Sequence, residues 1–154
     1  MDIYSVCEGL ADTLRTHLTL QGGERAVTVF PYVPDSIPEP CVFVAEYEVD
    51  YDGAMGRGMD TLTVTIRALV SKADDVSAAR AVAALFSGSG AGSLKAALEA
   101  GRGGPGEGCF QGTEFADACD DYRVLRMQAN RWYQHATATY LGGEITLKVI
   151  GSGD

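Results

Sequence analysis

The chain has 154 residues, with 12 basic against 21 acidic side chains and a net charge of −9, a balance that argues against a protein that grips nucleic-acid backbones. Its hydrophobic fraction of 46% and charged fraction of 21% are ordinary for one globular domain, and this length builds a core without disulfides or metals. No apolar run approaches a membrane span, and Glu8, Asp12 and Arg15 interrupt the region where a signal peptide would need an apolar stretch.

Ile3, Cys7, Leu10, Leu14 and Leu18 recur at three- and four-residue steps and predict an opening helix, capped by Asp2 and stopped by Gly22 and Gly23. His17 falls in its last turn, where a donor side chain suits the helix dipole. Residues 26–32 form a short β-prone run. The segment PYVPDSIPEP then packs four of the five prolines into ten residues, which predicts an extended connector over the surface. Residues 41–51 are the first long strand, with Glu46, Glu48, Asp50 and Asp52 on one face and Ala45, Tyr47, Val49 and Tyr51 on the other. A glycine-punctuated loop, DGAMGRG, leads into a returning strand over 60–70. There Leu62, Val64, Ile66, Ala68 and Val70 alternate with Thr61, Thr63, Thr65 and Arg67.

Asp74 or Asp75 starts a helix with an apolar stripe of Val76, Ala79, Val82, Ala83 and Phe86, and Ser93 caps a short helix that uses Leu94, Ala97 and Leu98. Glycine dominates from Gly101 to Gly108, so residues 101–120 are expected to be a flexible insertion. Residues 122–133 and 137–150 read as the closing strands, joined by a turn around Gln134 and His135. The expected fold is a single α+β domain over 1–154. It comprises a mostly antiparallel sheet of four to five strands flanked by an N-terminal helix and a central helix pair.

No arrangement of catalytic residues stands out. GRGGPGEG lacks the Lys-Ser/Thr ending of a phosphate loop and joins no strand to a long helix, so neither a P-loop nor a Rossmann fingerprint fits. His17 and His135 are the only histidines, and no nucleophile elbow accompanies them. Asp117, Asp120 and Asp121 could hold a divalent cation through oxygen, although their spacing matches no calcium loop. Arg123, Arg126 and Arg131 beside Trp132 and Tyr133 make a weak case for nucleic-acid stacking amid so much acid. They are better read as partners of carboxylates within the fold or across a subunit contact. Cys7, Cys41, Cys109 and Cys119 form no C-x-x-C pair, and free buried thiols are the expectation. No metal or cofactor is called for.

The charge is unevenly placed. Residues 31–60 hold seven acids against one base, Arg57, and so carry −6 of the −9. Same-face neighbours along a strand lie about 7 Å apart, so each adjacent carboxylate pair repels by roughly 0.6 kcal/mol in water and about 2 kcal/mol at an effective dielectric near 20. Four in a row must therefore be hydrated or met by cations. The ladder faces solvent, a water-filled channel, or a basic partner surface.

The stretch EYEVDYDGAMGRGMDTLTVTIRALVSKADDVSAARAVAALFSGSGAGSLKAALEA resembles the tail terminator proteins of long, non-contractile-tailed phages, particularly those of actinobacterial hosts. The resemblance is carried by Tyr51-Asp52 before the loop and by Arg57-Gly58-Met59-Asp60 after it. Leu69-Val70-Ser71 and the run from Gly90 through Ser93 to Glu99 add to it, as does the closing YRVLRMQANRWYQHATATYLGGEITLKVIG. It covers residues 1–100 and 120–151. The link at 101–120 is longer here than in similar proteins.

This resemblance implies a non-enzymatic virion protein of the tail and neck, assembled in the host bacterial cytoplasm. Such a protein caps the tail tube as a homohexameric ring, stops polymerisation and presents a surface to the head-completion protein of the neck. Viral DNA passes through the pore without specific binding. About two dozen carboxylates at such a pore would repel DNA phosphates. Glu46, Glu48, Asp50 and Asp52 are accordingly expected at the pore or a subunit interface. The hairpin of Gly53, Met55, Arg57, Met59 and Asp60 is expected to be an assembly contact. The alternatives are a head-closure or adaptor protein of the neck and, from a different class, a small metal-dependent enzyme using Asp117, Asp120 and Asp121.

Overall fold

The computed structural model describes residues 1–18, 27–51, 58–72, 75–104 and 107–152. The opening helix α1 spans Ile3–His17, and the Asp2 carboxylate accepts from the Ser5 amide at 3.2 Å and the Ser5 hydroxyl at 2.6 Å. The helix ends with Leu18 in extended conformation, ahead of the expected stop, and Gly22 and Gly23 lie outside the described residues. Strands β1 (Thr28–Phe30), β2 (Cys41–Asp50) and β3 (Asp60–Ser71) follow. After them come helices α2 (Val76–Leu85) and α3 (Leu94–Ala100) and strands β4 (Asp121–His135) and β5 (Ala138–Gly151).

The five strands form one sheet in the order β1-β2-β3-β5-β4. β1 runs parallel to β2, and every other pairing is antiparallel, so the fold is α+β, with three helices among the described residues. No helix among the described residues is long and apolar enough to cross a membrane.

All three helices pack on one face of the sheet. Leu62, Val64 and Ile66 of β3 and Ile145, Leu147 and Val149 of β5 are fully buried there against Val6, Leu10 and Leu14 of α1 and Leu94 and Leu98 of α3. Asp75 caps α2 by accepting from Ala78 N, and Ser93 caps α3 by accepting from Ala96 N. The buried stripe of α2 differs from the expected one. Ala78, Val82, Leu85 and Phe86 face inward, while Val76, Ala79 and Ala83 are exposed. In an alanine-rich helix two stripes have nearly equal apolar character, and the larger Leu85 decides which is buried.

Residues 107–120 join this core. The Phe110 ring stacks on Tyr122 with centroids 5.1 Å apart, and its backbone adopts φ 56°, a left-handed conformation unusual for an aromatic residue. Gly9 of α1 makes room for that ring, since a Cβ there would sit 2.5 Å from Phe110 Cδ2. The Tyr122 hydroxyl donates to Leu98 O at 2.6 Å, and its burial raises the phenol pKa.

The other face of the sheet carries a small second core at one end. Cys41, Phe43, Leu69 and Tyr140 are buried there beneath Ile37 and Tyr133. The proline-rich segment 31–40 is therefore a cover for this end as well as a connector. His135 Nε2 lies 3.4 Å from Asp35 O and helps to hold it. The β4–β5 reversal occurs at Ala136 and Thr137, just beyond the expected turn, with Ala136 at φ 53°.

Candidate functional site

Beyond the second core, no helix among the described residues covers the other face of the sheet, the open face. A register shift between Val44 and Glu46 makes Ala45 an extra residue in β2. The bulge changes the parity of the strand. Cys41 and Phe43 share the helix-free face with Glu46, Glu48 and Asp50, whereas Val42 and Val44 share the helix side with Tyr47 and Val49. Ala45, expected alongside Tyr47 and Val49, packs instead against the second core. Strict alternation could not reveal this, because an inserted residue leaves no trace in composition.

Glu46 lies opposite Thr65, Glu48 opposite Thr63 and Asp50 opposite Thr61, and all three acids are exposed. Across β3 the rows continue into β5 and β4. One row reads Glu48, Thr63, Lys148, Arg123, and the next reads Glu46, Thr65, Thr146, Arg126. Both charged rows therefore begin acidic at β2 and end basic at β4.

Two bulges in β4, at Leu125 and at Ala129–Asn130, place Arg123, Arg126 and Arg131 on this one face although their spacing does not alternate. None of these three arginines, nor Glu46 or Glu48, forms an ion pair among the described residues. Arg131 donates to Gln128 Oε1 at 2.6 Å. Between the open rows and the second core stands one internal pair, Arg67 and Glu144, at 2.6 Å, with Arg67 also 4.7 Å above the Tyr133 ring.

Strands lie about 4.8 Å apart, so the acid stripe stands roughly 10 Å from Lys148 on β5 and roughly 14 Å from the arginines on β4. Both exceed the screening length of about 8 Å at physiological ionic strength, and the stripes do not neutralise each other within one molecule. Both stripes also lie at sheet edges. β1 pairs with only Cys41, Val42 and Phe43 of β2, so residues 45–50 have no strand on that side among the described residues. β4 is the opposite edge along its whole length.

Asp52, Gly53, Met55 and Arg57 lie outside the described residues. Met59 is exposed, and Asp60 begins β3 opposite Gly151. The remaining acids, Asp117, Asp120 and Asp121, border a cleft of about 600 Å³ with Arg102, Cys109 and Cys119. Both oxygens of Asp121 are occupied by Arg102, at 2.7 and 2.8 Å, and this guanidinium holds the carboxyl below its usual pKa. Among the described residues no group of three or more His, Cys, Asp or Glu is disposed to hold a metal. All four cysteines are free and buried, and the Cys109 thiol donates to Cys119 O at 2.6 Å.

What sequence reasoning missed is the basic half of the surface. The arginines were visible, but their common face depends on two bulges and on β4 standing next to β5 at the far edge. Compared with protein-family models and with curated proteins, the chain matches none.

Proposed function

We propose that this chain is a structural component of a phage tail, a tail terminator. In this reading it assembles as a homohexameric ring on the end of the tail tube, stops tube polymerisation and offers its outer side to the neck. Viral DNA passes through the ring without specific binding. One observation carries the reading beyond the resemblance: an exposed row of carboxylates, Glu46, Glu48 and Asp50, on a sheet face that no helix among the described residues covers. Acids in that density are tolerated where water or a basic neighbour meets them, and a pore or a groove between subunits provides either. An acidic lining also repels phosphates, so a genome slides past instead of sticking. Asp52, which follows in sequence, is read with these carboxylates, and the stretch from Gly53 through Arg57 and Met59 to Asp60 is read as the assembly contact.

Deleting the gene from the phage tests this function. The expected result is tails of irregular, overlong length. Finished tails of normal length beside unjoined heads would assign the chain to the neck as an adaptor instead. Within the ring, replacing Arg57 and Met59 together by Ala should abolish tail joining, and intact joining would remove the hairpin from the assembly contact.

A further inference from the structure

The open face has two edges of opposite charge, and their rows are in register. We infer that a second copy of this chain docks edge to edge, with its β2 segment 45–50 laid beside β4 of the first. The contact deepens the ring reading by naming the surfaces that meet, and it stands on strand geometry and charge.

Strand direction favours the pairing. β2 and β5 run the same way, and β3 and β4 run opposite to them. If copies are related by rotation about an axis close to the strand direction, β4 of one meets β2 of the next antiparallel, the commoner ladder. The helix-free faces then form one continuous surface. Glu48 and Arg123 occupy the same row of the sheet, as do Glu46 and Arg126, so an unstaggered junction brings each acid beside a base. Each edge also carries an exposed large apolar side chain. Tyr47 is 55% exposed at one and Leu125 is 48% exposed at the other.

The contact is heterologous, because an acidic edge meets a basic edge and each copy keeps one of each for further neighbours. Such head-to-tail contacts close into rings when the rotation permits. The bulges of β4 also serve the ordinary purpose of discouraging indiscriminate edge pairing, which narrows the acceptable partner to one with acids in the right rows.

The test uses the full chain and two charge-reversed variants, Glu46→Arg with Glu48→Arg, and Arg123→Glu with Arg126→Glu. Light scattering should give an oligomer for the parent, with association weakening at least about tenfold from low to high salt. Each variant alone should be monomeric, because both its edges then carry one sign. An equimolar mixture should regain the oligomer, since each edge again faces its opposite. As an independent check, a chain carrying Glu48→Cys and Arg123→Cys should form interchain disulfides under air with a copper catalyst, whereas either single substitution should not give chains longer than a dimer.

A parent oligomer of unchanged mass in both variants overturns the edge contact and leaves the ring reading standing on other surfaces. A parent that stays monomeric and forms no interchain disulfide in the double-cysteine chain overturns the contact outright. The opposite separation is also readable: mixture rescue together with normal tail lengths in the gene deletion keeps the contact and removes the terminator role.

Discussion

Along β3, Leu62, Val64 and Ile66 alternate with Thr61, Thr63 and Thr65, and the two sets meet entirely different surroundings. The first set is sealed beneath three helices. The second runs between carboxylates on β2 and cations on β5 and β4, on a surface that no helix among the described residues covers. One strand thus separates a face committed to stability from a face left to intermolecular work. The difference teaches that threonine here is a neutral spacer. It keeps the carboxylates of β2 two strands from Lys148 on β5 and three from the arginines on β4.

The largest effects should come from the covered face. Phe110 fills a core slot against Tyr122 and Gly9, in a backbone conformation that its packing must hold in place. Phe110→Ala is expected to destabilise the fold by about 3–5 kcal/mol, read as a fall in the urea midpoint with little change in slope. A loss under about 1 kcal/mol would mean that residues 107–120 sit on the core without contributing to it.

The contrast between faces is sharpest within β3 itself. Val64→Thr buries a hydroxyl among apolar side chains and should cost about 1–3 kcal/mol. Thr63→Val, one residue away on the open face, should leave stability within about 0.5 kcal/mol. Equal losses from both substitutions would erase the distinction between the two faces.

Most of the strands and caps were legible in the sequence because each has a local cause. Asp2, Asp75 and Ser93 each accept the backbone N–H three residues on, and the alternation of β3 and β5 records which side chains are sealed. Three features were not legible. The β2 bulge at Ala45 is a single inserted residue with ordinary chemistry. The inward face of α2 depends on what its alanines pack against. The place of Phe110 depends on Gly9, a hundred residues away in sequence, and the surrounding glycines masked it as loop. The acidic half of the open face could be found from one strand alone, whereas its basic half required the strand order.

The smallest effect belongs to the open face, and its smallness is what identifies the face. Glu46→Gln with Glu48→Gln removes two adjacent exposed like charges that make no ion pair among the described residues. At the roughly 7 Å spacing of same-face neighbours their mutual repulsion is modest and screened, so monomer stability should rise by no more than about 0.5 kcal/mol. Differential scanning calorimetry on dilute protein, where copies are apart, reads that change. Repeated at high concentration and low salt, the same variant should show a lower unfolding temperature than the parent, because the parent then gains stability from its neighbours and the variant does not. A reversal of sign with concentration cannot arise from groups that serve only their own chain. If the variant instead loses stability at every concentration, Glu46 and Glu48 hold the hairpin together internally, and the distinction between a face for folding and a face for assembly collapses.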